Sequence, residues 1–200
     1  MSTAAAFCAL SRSVTGSLLP SLSRMVLAAL LVFAAVPFAF AEGISVPKAS
    51  LEQTEDGWNL NADFDIQFSP KLEEAVTRGV PLYFVMEFEL SRPRWYWFDE
   101  KPVKQTQTYK ITYTPLLRQY RLSVGNLYQN FTRFDEVKRV LSRVRSLHVA
   151  DKSALKGGEY QANLRMRLDT GQLPKPFQLN AVASSDWSLN SEWHRWAVNP

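Results

Sequence analysis

The sequence predicts an all-β domain built as a sandwich of two antiparallel sheets, immunoglobulin-like in type, with two short helices. Three segments support this class, because apolar and polar residues alternate along each as in strands with one buried and one solvated face. They are residues 58–68, 82–90 and 160–168. Clean alternation is typical of antiparallel rather than buried parallel sheets. The alternative is an open antiparallel sheet with one helix packed on it.

Residues 1–41 form a separate N-terminal segment without Asp, Glu or Lys. Arg24 precedes an unbroken apolar run, residues 25–38, which is shorter than the roughly 20 residues that span a bilayer as a helix. The segment ends with the small-x-small pattern of Ala39 and Ala41. A basic flank, a short apolar core and Ala-x-Ala predict a signal peptide cleaved after Ala41. We therefore expect residues 42–200 to form one periplasmic domain. An uncleaved anchor in the inner membrane is the alternative.

Removal of the leader changes the charge and the cysteine content of the chain. Lys plus Arg falls from 23 to 21 with the loss of Arg12 and Arg24, while Asp plus Glu stays at 19, so the net charge falls from +4 to +2. This near balance argues against a nucleic-acid partner. The only cysteine, Cys8, lies in the leader, so the mature domain has no thiol for a disulfide, a nucleophile or a metal ligand. We expect no metal and no cofactor.

Weaker patterns complete the predicted sheets and supply the first helix. Residues 104–114 and 119–124 flank Pro115 and predict a hairpin, and residues 44–53 and 176–183 are weaker strand candidates. Ser69 followed by Pro70 is typical of a helix N-cap with proline in the first turn, and the helix is expected to end at Gly79.

The second predicted helix is basic and amphipathic. Thr132 to Asp135 fits a capping box, and apolar residues recur at helical spacing from Phe134 to Leu147, with lysine and arginine between them. We interpret this segment as a surface helix laid on a sheet. Weak contact of the 134–147 helix with an anionic membrane is the alternative.

No catalytic set is visible in the sequence. It contains no Gly-x-Ser-x-Gly and no Gly-rich phosphate loop. Only His148 and His194 could serve as an imidazole base, and a helix end for His148 and packing beside Trp193 and Arg195 for His194 are the simpler interpretations. Two carboxylate pairs, Asp63 with Asp65 and Glu87 with Glu89, each share one strand face. A solvated sheet surface explains them better than glycoside hydrolysis does. We expect a protein that is not an enzyme.

The most unusual segment is the aromatic and basic run of residues 92–98. Trp, Tyr and Arg commonly anchor protein interfaces, and neighbouring strand residues point to opposite faces, so part of the run should reach the surface. The candidate interaction surface comprises Arg92, Arg94, Trp95, Tyr96 and Trp97. In one alternative, other parts of the fold cover both sides of this run. In the other, the protein binds carbohydrate or acts on cell-wall glycans and stacks sugars on these rings.

Several short strings together resemble a known family. They are residues 69–75, 79–82, 92–97, 118–122 and 173–176, with the tryptophans Trp187, Trp193 and Trp196. Over roughly residues 44–196 they resemble a family of exported proteobacterial proteins described as a domain of unknown function, DUF4390. The resemblance implies a periplasmic protein without an assigned activity. It also implies a link to a membrane sensor kinase of the nitrogen-regulation type, beside whose gene the family's genes often lie. The expected partner is thus another protein of the cell envelope.

Overall fold

Strands dominate the computed structural model, which describes residues 43–92 and 100–199. Within these ranges the strands form two antiparallel sheets, in the orders β1-β2-β7 and β6-β5-β4-β3-β8-β9. The strands are β1 Ile44–Gln53, β2 Trp58–Ile66, β3 Leu82–Arg92, β4 Glu100–Thr114, β5 Gln119–Val124, β6 Leu127–Phe131, β7 Arg143–Ala150, β8 Tyr160–Leu168 and β9 His194–Val198. The predicted all-β architecture of two antiparallel sheets is confirmed.

Alternate residues of both sheets meet in one hydrophobic core. The core side chains of β2, β3 and β8 are Trp58, Leu60, Ala62, Phe64, Ile66, Leu82, Phe84, Met86, Phe88, Leu90, Tyr160, Ala162, Leu164, Met166 and Leu168. These are the apolar positions of the three segments whose alternation predicted strands. Their intervening residues point away from the core, which fixes the composition of each outer face.

Three α-helices lie within the described residues, together with single 3₁₀ turns. The α-helices are α1 Pro70–Thr77, α2 Phe134–Leu141 and α3 Lys175–Ala183. α1 begins as predicted, because the Leu72 N–H donates to the Ser69 hydroxyl at 3.3 Å. α2 packs through the Phe134 ring, whose centroid lies 5.1 Å from that of Phe68 and 5.3 Å from that of Tyr120. No helix among the described residues has the length and apolar character needed to cross a bilayer.

The predicted 134–147 helix is wrong beyond Leu141. The helix ends there and strand β7 begins at Arg143, where it pairs with the edge of β2 that β1 leaves open. Val140, placed on the apolar face by the prediction, is 41% exposed. α2 begins at Phe134 as predicted, but its N-cap is Arg133 rather than Thr132, and the Arg133 N–H donates to the Glu136 carboxylate at 3.4 Å.

The strand predicted at 176–183 is wrong, because these residues form most of helix α3. Pro176 lies in the first turn of this helix. Backbone N–H groups there have no acceptor within the helix, so proline costs no hydrogen bond, and its fixed φ suits the helix. Strands β6 and β9 were not predicted, since each has only five residues and so shows too little alternation to stand out.

Candidate functional site

The outer face of the six-stranded sheet carries an excess of cationic side chains. Strand register and ion pairing place them on one surface, here called the basic face. Among the described residues its charged members are Lys101, Lys104, Lys110, Arg121, Arg165, Arg167 and Arg195 against Glu87 and Glu89, with Asp169 beside Arg167. Seven cations minus three carboxylates leave +4, which exceeds the +2 of residues 42–200 as a whole.

Each glutamate of the basic face is shared by two cations. Glu87 pairs with Arg165 through Nε and also lies 3.5 Å from Nη2 of Arg167. Glu89 lies 2.6 Å from Nζ of Lys101 and 3.4 Å from Nζ of Lys104. Arg167 also lies 3.8 Å from Asp169, so the Glu87 cluster has two cations and two carboxylates. The Glu89 cluster has two cations for one carboxylate and keeps a positive charge.

Three further cations of the basic face have no carboxylate within ion-pair distance among the residues described. Lys110 lies over the Tyr83 ring at 5.5 Å from its centroid. Arg121 lies over the Tyr128 ring at 4.6 Å and donates from Nε to the Asn130 amide oxygen at 3.0 Å. Arg195 is exposed on β9. No carboxylate in the described part of the chain therefore neutralises these three charges.

A polar groove crosses the basic face where β3, β8 and β9 meet. It measures about 380 Å³ and is lined by Glu89, Ser91, Lys101, Gln161, Asn163, Trp193 and Arg195. The Asn163 amide donates to the Ser91 hydroxyl at 3.3 Å and to the Glu89 carbonyl at 3.4 Å, which holds the groove floor in place. The Arg165 guanidinium covers one side of the Trp193 ring at 4.4 Å from its centroid.

The Glu89 cluster predicts a pH dependence of stability. The hydrogen bond from Lys101 outweighs desolvation and holds the pKa of the Glu89 carboxyl below its ordinary value of 4.5. A carboxyl with a lower pKa in the folded state stabilises the fold above pH 4.5, and this contribution is lost as the pH falls through the folded pKa. We expect Glu89→Gln to lower the free energy of unfolding by about 1 kcal/mol or less at pH 7, and by less still at pH 3. Denaturant titrations of both proteins measure this, and an equal difference at the two pH values would contradict it.

Arg92 is the one member of the predicted interaction surface that the structure describes. Its guanidinium lies 5.7 Å from the centroid of the Tyr160 ring, and its Nη2 donates to the Gly157 carbonyl at 3.4 Å. Tyr160 is a core residue, so Arg92 ties the end of β3 to the segment before β8. Arg94, Trp95, Tyr96 and Trp97, like the cleavage-site residues Ala39 and Ala41, lie outside the described residues, and their roles stay predictions.

The remaining candidates from the sequence do not come together. Asp63 pairs with Arg145 on the other sheet, while the Glu87 and Glu89 carboxylates are held by their cations. Nε2 of His148 lies 3.5 Å from Asp151, and the His194 ring lies beside Trp196. The described residues contain no group of three or more metal-ligating side chains.

The fold and the basic face define an all-β, two-sheet domain with a cationic, grooved outer surface. The chain belongs to the family described as Domain of unknown function (DUF4390), whose model matches residues 41–197. No curated protein and no solved structure matches it. The family assignment predicted from the short strings is confirmed.

Proposed function

We propose that the protein is an exported accessory module of the cell envelope that binds an acidic surface of another protein through its basic face, and that it catalyses no reaction. The observation that carries this proposal is the charge of +4 that the described residues place on one sheet face. There two cations share each glutamate, and three more have no carboxylate within ion-pair distance in the part of the chain that the structure describes. Such a field raises the rate of encounter with an acidic partner and orients it.

Trp193, with Arg165 stacked on its ring and Arg195 nearby in the same groove, supports a protein partner. Trp and Arg are enriched among the residues that contribute most to interface affinity. The partner we propose is the periplasmic part of a membrane sensor kinase, supported by the family resemblance. Export itself is supported by residues 1–41, and intact-mass measurement of the exported protein should give an N-terminus at Glu42.

Charge reversal on the basic face tests the proposal. A photo-crosslinking residue at Trp193 is expected to capture an acidic envelope protein in living cells. The double variant Lys110→Glu with Arg195→Glu should reduce the yield about tenfold or more, because long-range attraction becomes repulsion while no observed ion pair of the fold is broken. Quantitative blotting of the crosslinked product at matched expression measures the effect.

The matched control reverses the same number of charges away from the basic face. Arg139 and Arg143 are exposed and lie at the end of α2 and the start of β7. Arg139→Glu with Arg143→Glu should leave the crosslinking yield unchanged. An equal loss in both double variants would show a non-specific charge effect, and no loss in either would contradict the proposal.

A carbohydrate-binding role is the second candidate, because the groove combines Trp193 with the polar side chains Gln161 and Asn163. Aromatic rings that line a polar groove are typical stacking platforms for sugars. Peptidoglycan binding that is lost in Trp193→Ala, yet retained when Lys110 and Arg195 are reversed, would favour this role over the first.

A further inference from the structure

Strand β6 is an edge of the six-stranded sheet. It pairs with β5 without a bulge and has no second neighbour within the described part of the chain. The segment Leu127–Phe131 contains no charge and no proline, and Leu127 and Tyr128 are 78% and 63% exposed. Sheet edges are usually blunted by charges, prolines, bulges or a covering segment, because free backbone groups attract other strands.

The turn before β6 determines which backbone groups are free. Gly125 and Asn126 form a two-residue hairpin loop in which only Gly125 has a positive φ, +56°, as in a type II′ turn. Such a loop is closed by a hydrogen-bonded pair, here Val124 with Leu127. Since hydrogen-bonded and non-hydrogen-bonded pairs alternate, the N–H and C=O groups of Tyr128 and Asn130 point away from β5.

A second copy of this strand would supply hydrogen-bond partners for the free N–H and C=O groups of Tyr128 and Asn130. If two β6 strands meet antiparallel about a two-fold axis at Gln129, Tyr128 of each lies opposite Asn130 of the other, and four backbone hydrogen bonds form. The same register sets Leu127 against Phe131 of the other copy, twice, so the exposed apolar side chains cover one another. No charged residue of the strand faces its own copy, so like-charge repulsion within the pair is absent.

We propose that the protein forms a two-fold homodimer by antiparallel pairing of β6, which joins the two six-stranded sheets into one of twelve strands. The contact involves five residues on each side, which places it among small, weak interfaces. In such a pair both basic faces lie on the same side of the joined sheet, because side chains of directly opposed residues share a face. The proposal does not depend on what the basic face binds.

A cysteine at the proposed axis tests the register. Apart from Cys8 the chain has no cysteine, so a single new thiol reports on its own copy. Gln129 would face itself in a non-hydrogen-bonded pair, at a Cα–Cα distance of about 4.5 Å, which lies within the range of disulfides. In the full chain carrying Cys8→Ser, Gln129→Cys is expected to give a disulfide-linked dimer on mild oxidation.

The matched control is Leu127→Cys, which would face Phe131 of the other copy rather than itself. It should stay largely monomeric under the same oxidation, as judged on non-reducing gels. Equal crosslinking of the two variants would contradict the register, and monomers from both would contradict the dimer.

A second variant weakens the pairing without a thiol. Asn130→Pro removes an N–H that points away from β5, so the β5–β6 hairpin keeps its backbone hydrogen bonds and loses only the exposed side-chain bond from Arg121. Sedimentation equilibrium of the full chain, from about 1 μM to about 1 mM, should show a reversible dimer whose Kd rises about tenfold or more in this variant. Leu116→Lys, at a leucine in the β4–β5 turn that is even more exposed than Leu127, should leave the Kd unchanged. A wild-type protein that is monomeric throughout, or an unchanged Kd in Asn130→Pro, would overturn the proposal.

Discussion

Replacement of Phe84 by alanine is expected to lower the free energy of unfolding by about 3–5 kcal/mol. Phe84 is fully buried in β3, a strand that pairs with both β4 and β8. Its ring lies edge-on to the ring of Phe68, with centroids 5.5 Å apart. Alanine removes this contact and leaves a cavity between the sheets, which neighbouring strands held on both sides cannot close.

Denaturant titration monitored by tryptophan fluorescence measures the loss for Phe84→Ala. Domains of this kind have a total stability of about 5–15 kcal/mol, so the variant should unfold at a much lower denaturant concentration. Leu116→Ala is the control, since Leu116 is 93% exposed and should change the stability by less than about 0.5 kcal/mol. A loss below about 1 kcal/mol for Phe84→Ala would contradict the assigned core.

Much of the fold could be predicted because strand alternation is a local property. The buried residues of β2 and β8 are the apolar positions of their period-two patterns. β3 follows the same pattern, except that Val85 and Ser91 on its other face are also buried. The residues beyond Leu141 were misassigned because Val144 and Leu147 continue the helical spacing. In β7 they lie opposite Ala62 and Leu60 through a register shift, so the segment can be drawn as a helix or as a strand. The open edge of β2, which accepts β7, decides between the two, and no local pattern reveals that edge.

The basic face could not be predicted from the sequence, because it depends on which strands are neighbours. Arg165 and Arg167 occupy alternate positions of β8, as Glu87 and Glu89 do in β3. Each pair taken alone was interpreted only as part of a solvated strand face. These charged side chains share the outer face of the sheet with the lysines of β4 because β3 lies between β4 and β8. The complementary period-two charges of β3 and β8 were the one available signal that these strands pair.

A second large effect is expected at Gly57, where the backbone has φ +148° and the residue is buried. Its carbonyl accepts from the Thr54 N–H at 2.7 Å and closes the turn between β1 and β2. A Cβ atom there would lie 2.3 Å from the Ala150 carbonyl oxygen and 2.7 Å from Cε1 of His148. We expect Gly57→Ala to lower the free energy of unfolding by about 2–5 kcal/mol, because backbone strain adds to the clash.

Two other glycines separate the clash from the strain. Gly79 also has a positive φ, +90°, but a Cβ atom there would have no neighbour within 4 Å. Gly79→Ala should therefore lower the free energy of unfolding only by the backbone strain, about 1 kcal/mol. A Cβ at Gly157 would also be unobstructed, and this residue has no positive φ. Gly157→Ala should therefore be neutral or stabilise by up to about 1 kcal/mol, because it restricts the unfolded chain. Denaturation midpoints should fall in the order Gly157→Ala, Gly79→Ala, Gly57→Ala. If Gly57→Ala were no less stable than Gly79→Ala, the carbonyl of Ala150 could not be held in place by the pairing of β2 with β7, and that register would be wrong.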